Sequence, residues 1–154
     1  MQGSDLQRIF FESASEVLEA MFFAGVTEEV SQPVGNAVIS AELTFHGNPS
    51  GRFGIQIAHA TSRVIAASFL GLDETEVSEE QIVDVVCELT NMICGSVLSR
   101  VETGARFELL HPAIDPRNAD WRLDKNAVGA TFGVEEGSVT LWMIFDEIEP
   151  ALVA

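Results

Sequence analysis

Positive charge is scarce in this sequence. Eight Lys and Arg residues stand against 24 Asp and Glu over 154 residues, a formal charge of −16. Such a surface repels phosphate backbones and anionic lipid headgroups, which argues against nucleic acid or a membrane surface as partner and favours a basic patch on another protein. Cysteine is nearly absent too. Cys87 and Cys94 fall seven apart in what reads as one helix. At about 1.5 Å of rise per residue they sit roughly 10 Å apart, too far for a disulfide. No histidine is near them, so they make no zinc site, and both read as small buried residues. His46, His59 and His111 share no ligand spacing and read as structural. There is no run of roughly 18 apolar residues to span a bilayer. Met1 to Asp5 carries no basic leader, so no signal peptide is expected and the cytoplasm is the expected compartment. A Gly-rich phosphate loop, strict strand–helix–strand alternation and a nucleophile-elbow serine are all missing, which argues against nucleotide-binding folds and serine hydrolases.

What the sequence does have is apolar residues, 47% of the total, enough for one domain over residues 1–154 with a sizeable core. Helical periodicity runs from Leu6 to Ala24, with Ser4 or Asp5 as candidate caps and Gly25 as the stop. A turn-prone stretch follows at residues 32–36. Ala37 to His46 and Gly51 to Ala58 alternate around Gly47-Asn48-Pro49-Ser50 and read as a hairpin. Thr61 to Leu70 reads as a short helix closed by Gly71. Ser78 and Gln81 have capping-box spacing and open a helix to about Arg100 or Val101. Phe107 to Ile114 reads as a strand and Asp115 to Asn126 as a loop. Ala127 to Val134 and Ser138 to Phe145 form a second hairpin around Glu135-Glu136-Gly137, and Leu152 to Ala154 is a short tail. Trp121 reads as a loop anchor and Trp142 as a core strand residue.

Two helical windows align, Glu12-x3-Glu16-x2-Glu19 and Asp84-x3-Glu88-x2-Asn91, and each precedes a hairpin. The expected fold is therefore α+β and internally duplicated, with long helices packed on a mainly antiparallel sheet.

The helix from Ser78 carries the chemistry. Ile82, Val83, Val85, Val86, Leu89, Met92, Ile93, Val97 and Leu98 cover most of its circumference, as in a largely buried helix. At about 100° per residue, Asp84, Glu88, Asn91 and Gly95 fall within an arc of roughly 60°, and Glu80 extends the same line. A solvated edge would produce such a stripe, but two details favour docking. The stripe holds no Lys or Arg to compensate its carboxylates. It also contains Gly95, which costs about 1 kcal/mol relative to Ala inside a helix and leaves room for another backbone.

This pattern, with Pro112 after a 20-residue spacer from Asn91, resembles the signature of the CheC, CheX and FliY chemotaxis phosphatases: an acidic or Ser residue, then Glu, Asn and a distant Pro. The layout and length resemble that family over nearly the whole chain. The resemblance implies a cytoplasmic phosphatase acting on the phosphoaspartate of a CheY-like response-regulator receiver, which brings its own Mg²⁺ and lysine; this chain would bind no cofactor. Glu88 and Asn91 would be catalytic, with Asp84, Gly95 and Pro112 contacting the partner. The first repeat has Glu16 and Glu19 where the motif wants Glu and Asn, so one site is expected, as in CheX. A homodimer is implied by the same resemblance.

Phosphoryl transfer through a loose transition state depends on positioning and charge. A neutral carboxamide at Asn91 can orient water, whereas a carboxylate there would be repelled by the phosphoryl oxygens. The alternative is a module that sequesters a phosphorylated receiver without hydrolysing it; Asn91 argues against that, since binding alone needs no carboxamide.

Overall fold

A computed structural model of the chain describes residues 3–22, 24–29, 38–102, 104, 106–118, 120–134 and 137–146. In chain order the elements are α1 (Gly3–Met21), β1 (Val26–Glu29), β2 (Val38–His46), β3 (Gly51–Ala58), α2 (His59–Leu70), α3 (Glu79–Val101), β4 (Glu108–Leu109), β5 (Ala113–Ile114), β6 (Val128–Val134) and β7 (Gly137–Phe145). Short 3₁₀ turns occupy Glu74–Glu76 and Trp121–Leu123.

Local signals set most of these limits. Gln81 N–H donates to Ser78 Oγ at 3.1 Å and Ser78 N–H to Gln81 Oε1 at 2.9 Å, so the capping box starts α3. Gly71, with φ at 69°, closes α2 in the left-handed conformation that an L side chain resists. Ser4 and Asp5, expected as caps, instead lie inside the first turn of α1, which begins at Gly3. That helix stops at Met21, ahead of Gly25. The expected turn at 32–36 and the tail at 152–154 fall outside the described residues.

Every pairing in the sheet is antiparallel, and the order is β1-β6-β7-β3-β2-β4, with β5 also on β2. Exchanging α1 with α3, β1 with β4 and β5, β2 with β6, and β3 with β7 reverses this order onto itself. The duplication is thus built into the topology. It also explains β1, which the sequence does not announce: it is the first-repeat counterpart of the broken strand at β4 and β5. The single strand expected at Phe107–Ile114 is two short ladders on β2. Leu110 N–H still donates to the Thr44 carbonyl oxygen at 2.9 Å, and the break falls at His111 and Pro112. Proline has no N–H to give a ladder, so a break there is expected.

The helices share one face of the sheet. Along β2, Ala41, Leu43 and Phe45 point into the core; on β3, Phe53, Ile55 and Ile57 do the same, as do Val139, Leu141 and Met143 on β7. They meet Phe10, Ala14 and Leu18 of α1, and Ile82, Leu89 and Ile93 of α3. By length and hydropathy alone α3 would pass for a membrane span, but nine of its 23 residues are buried within this core. Arg100 near its end staples it to α1, with Nε 3.7 Å from Glu12, Nη1 3.3 Å from Ser13 and a close contact to Glu16.

The opposite face corrects the placing of Trp142. This residue is buried, yet it lies outside the helix-covered core, flat against Gly54 on the neighbouring strand. Trp121 lies likewise on Gly129 and so anchors its loop as expected. A methyl group on Gly54 would come within 2.2 Å of the Trp142 indole. Gly54→Ala should therefore lower stability by about 1–3 kcal/mol, the usual range for overpacking. Urea unfolding followed by tryptophan fluorescence measures it, and an unchanged midpoint would contradict this packing.

Candidate active site

The polar residues of α3 face a groove of about 580 Å³ between that helix and the β4–β5 link at the edge of the sheet. Asp84, Glu88 and Asn91 line one wall, and Pro112 lines the other. Residues 21 or more positions apart in sequence are thereby brought onto one site. Helix periodicity aligns the three polar side chains, one turn apart. The pairing of β4 and β5 with β2 holds the Leu110-His111-Pro112 link against them. Pro112 is buried there and Asn91 half-buried, while Asp84 and Glu88 are exposed.

Among the described residues no ion pair engages Glu80, Asp84 or Glu88, and no hydrogen bond engages the Asn91 carboxamide. These groups are therefore available to a ligand. Gly95 continues the stripe one turn on but does not line the groove, and a Cβ there would meet nothing within 4 Å. The space expected beside it is open among the described residues.

The matching face of α1 is different. Arg100 already holds Glu16 and Glu12. Glu19 is exposed in the position that Asn91 takes on α3. The first repeat therefore offers carboxylates partly neutralised from within, and no carboxamide.

Seven groove residues were not assigned to the site by sequence reasoning: Val83 and Cys87 on α3, and Leu109, Leu110, His111, Ala113 and Ile114 on the facing edge. Val83 and Cys87 read as part of the apolar surface of α3, and only the open flank beside the polar stripe marks them. His111 and Leu110 adjoin Pro112, which was the available signal. His59, by contrast, is structural: its Nε2 donates to Glu79 at 2.7 Å, which holds that carboxyl below its ordinary range.

Cys94 is buried as expected, but Cys87 is only half-buried and faces the groove. Burial, and then the negative charge of Asp84, push the Cys87 thiol above its ordinary range. It is protonated at neutral pH, and since the thiolate is the nucleophile its reactivity is damped. Alkylation by N-ethylmaleimide should be slower than for a free thiol at pH 7.5 and should rise with pH. Mass spectrometry reads the rate. A rate equal to that of free cysteine would contradict this environment.

A family model described as chemotaxis phosphatase CheX matches residues 39–128, a span that includes Asp84, Glu88, Asn91 and Pro112. No curated protein sequence matches the chain significantly. Among solved structures, CheX from Vibrio vulnificus superposes with a TM-score of 0.74 at 19% identity, covering 95% of this chain and 99% of that one. CheX from Desulfovibrio desulfuricans gives 0.70 at 19% identity, with 92% and 99% covered. A CheX from Borrelia burgdorferi, solved in complex with CheY, BeF3 and Mg²⁺, gives 0.70 at 19% identity, with 91% and 97% covered. At such identities the structures establish a shared fold, here the duplicated α+β fold of the CheC-like proteins. The family model matches more than half of the sequence, including both walls of the groove, and on that ground the chain belongs to the CheX chemotaxis phosphatase family.

Proposed function

We propose that this chain hydrolyses the phosphoaspartate of a CheY-like receiver domain, with the α3 face as the docking surface. The observation that carries the reading is the meeting of Asp84, Glu88, Asn91 and Pro112 on one open groove. In this reading Asn91 enters the receiver's phosphorylation site and orients a water. The water oxygen bonds to phosphorus as the acyl-phosphate P–O bond breaks, releasing inorganic phosphate and restoring the aspartate carboxylate. Glu88 pairs with the receiver's lysine and fixes the register of docking. Asp84 extends the acidic contact, and Gly95 leaves room for the receiver backbone. Pro112 shapes the facing wall and takes no part in the chemistry. The receiver supplies Mg²⁺, which offsets charge on the transferring group.

Electrostatics supports a partner of this kind. The stripe from Glu80 to Glu88 is uncompensated on a chain of formal charge −16, so a basic rim around a receiver's active site would be steered toward it. A homodimer and a cytoplasmic location belong to the same proposal.

The test is phosphate decay from receivers charged with a small phosphodonor, measured with and without the full chain. At least one receiver of the same organism should lose phosphate faster when the chain is present. Tight binding to a phosphorylated receiver with unchanged decay would favour the sequestering module instead.

A further inference from the structure

Large apolar side chains left in water need covering when they gather in one place. Among the described residues five such side chains are exposed: Met21, Leu70, Val83, Leu110 and Leu123. Two of these, Val83 at 37% and Leu110 at 39% exposure, line the same groove, one on each wall. Val83 stands on α3 beside Asp84, and Leu110 on the β4–β5 link next to Pro112. Neither belongs to the polar stripe, and neither is needed by the core.

We infer that Val83 and Leu110 form an apolar clamp that sets affinity and selectivity for the receiver, by gripping an aliphatic or aromatic side chain next to its phosphoaspartate. This rests on the proposed docking of a receiver at the groove. A partner that brings a phosphoryl group to Asn91 enters the groove that Val83 and Leu110 also line. Burying the two side chains against the partner contributes apolar contact to the affinity. The clamp acts at a distance from the reacting atoms and so governs binding rather than the chemical step. A receiver with a polar residue at the contact leaves the clamp unfilled and binds more weakly.

The experiment compares full-length wild type, Val83→Ser, Leu110→Ser, the double variant and Leu110→Met on one phosphorylated CheY-like receiver. Both positions are partly exposed, so the variants should fold, and circular dichroism checks this. KM should rise about fivefold for Val83→Ser and about tenfold for Leu110→Ser, the size expected for losing an aliphatic contact. The kcat should hold, and Leu110→Met should restore most of the affinity. The loss should persist at high salt, since an apolar contact is not screened. An unchanged KM in the double variant, or a fall in kcat at constant KM, would overturn the clamp. If wild type does not speed phosphate loss, the phosphatase proposal fails separately. The clamp is then read from the Kd of the beryllofluoride- and Mg²⁺-loaded receiver. The same rise in Kd upholds it; an unchanged Kd, or no binding by wild type, overturns it.

Discussion

Asn91→Ala should lower the accelerated rate of receiver dephosphorylation by about 100-fold, the scale on which loss of reactant positioning is felt. The expectation follows from what the side chain can do. It is a carboxamide with no hydrogen-bond partner among the described residues, half-buried on the helix face that opens to the groove. It can accept a hydrogen bond from a water and donate one to a phosphoryl oxygen. Alanine keeps the helix and removes both contacts, so receiver binding should change little. Asn91→Asp sharpens the argument. The two side chains are nearly isosteric, and only the charge differs. If a neutral group is required because the phosphoryl oxygens repel a carboxylate, Asp should be as inactive as Ala and should also bind a charged receiver more weakly. The same reasoning accounts for the first repeat, where Glu19 stands in place of an asparagine.

Glu88→Lys should weaken receiver binding by a factor on the order of 30 or more, because setting like charges together in an interface costs several kcal/mol. Glu88 is exposed and has no ion pair among the described residues, so stability should hold. Most of the loss should appear as a raised KM, and part of it should be relieved by salt, unlike the loss at Val83 or Leu110. Isothermal calorimetry against the beryllofluoride-loaded receiver at two ionic strengths separates the cases. Undiminished binding would remove Glu88 from the interface. Replacing Glu16 in the same way disrupts the Arg100 contacts between α1 and α3, so it should affect stability and leave receiver binding nearly untouched.

The features that sequence made legible are local ones. The capping box at Ser78, the left-handed glycine at 71 and the alternation of β2 and β3 each depend on residues a few positions apart. The alignment of Asp84, Glu88 and Asn91 follows from the helical repeat alone, so the polar wall of the groove could be read before the fold was known. The unread features are set by distant partners. The strand Val26–Glu29 has no apolar alternation of its own and exists through pairing with β6, more than 100 residues later. The strand β7 is buried at every position from Val139 to Ile144, so its sequence could not assign Trp142 to one face of the sheet. The second wall of the groove required knowing that the link around Pro112 leaves the β2 edge beside α3. Cys87 could not be separated from Cys94 for the same reason: both are small residues on an apolar helix, and only tertiary packing decides which one meets the groove.

The most direct test measures one phosphorylated receiver with wild type and Asn91→Ala in parallel, recording phosphate decay and affinity for the beryllofluoride-loaded form. Wild type should accelerate decay, and Asn91→Ala should bind within a few-fold of wild type while losing nearly all of the acceleration. Equal decay rates for the two proteins at matched occupancy would contradict the assignment of the α3 face as the catalytic surface.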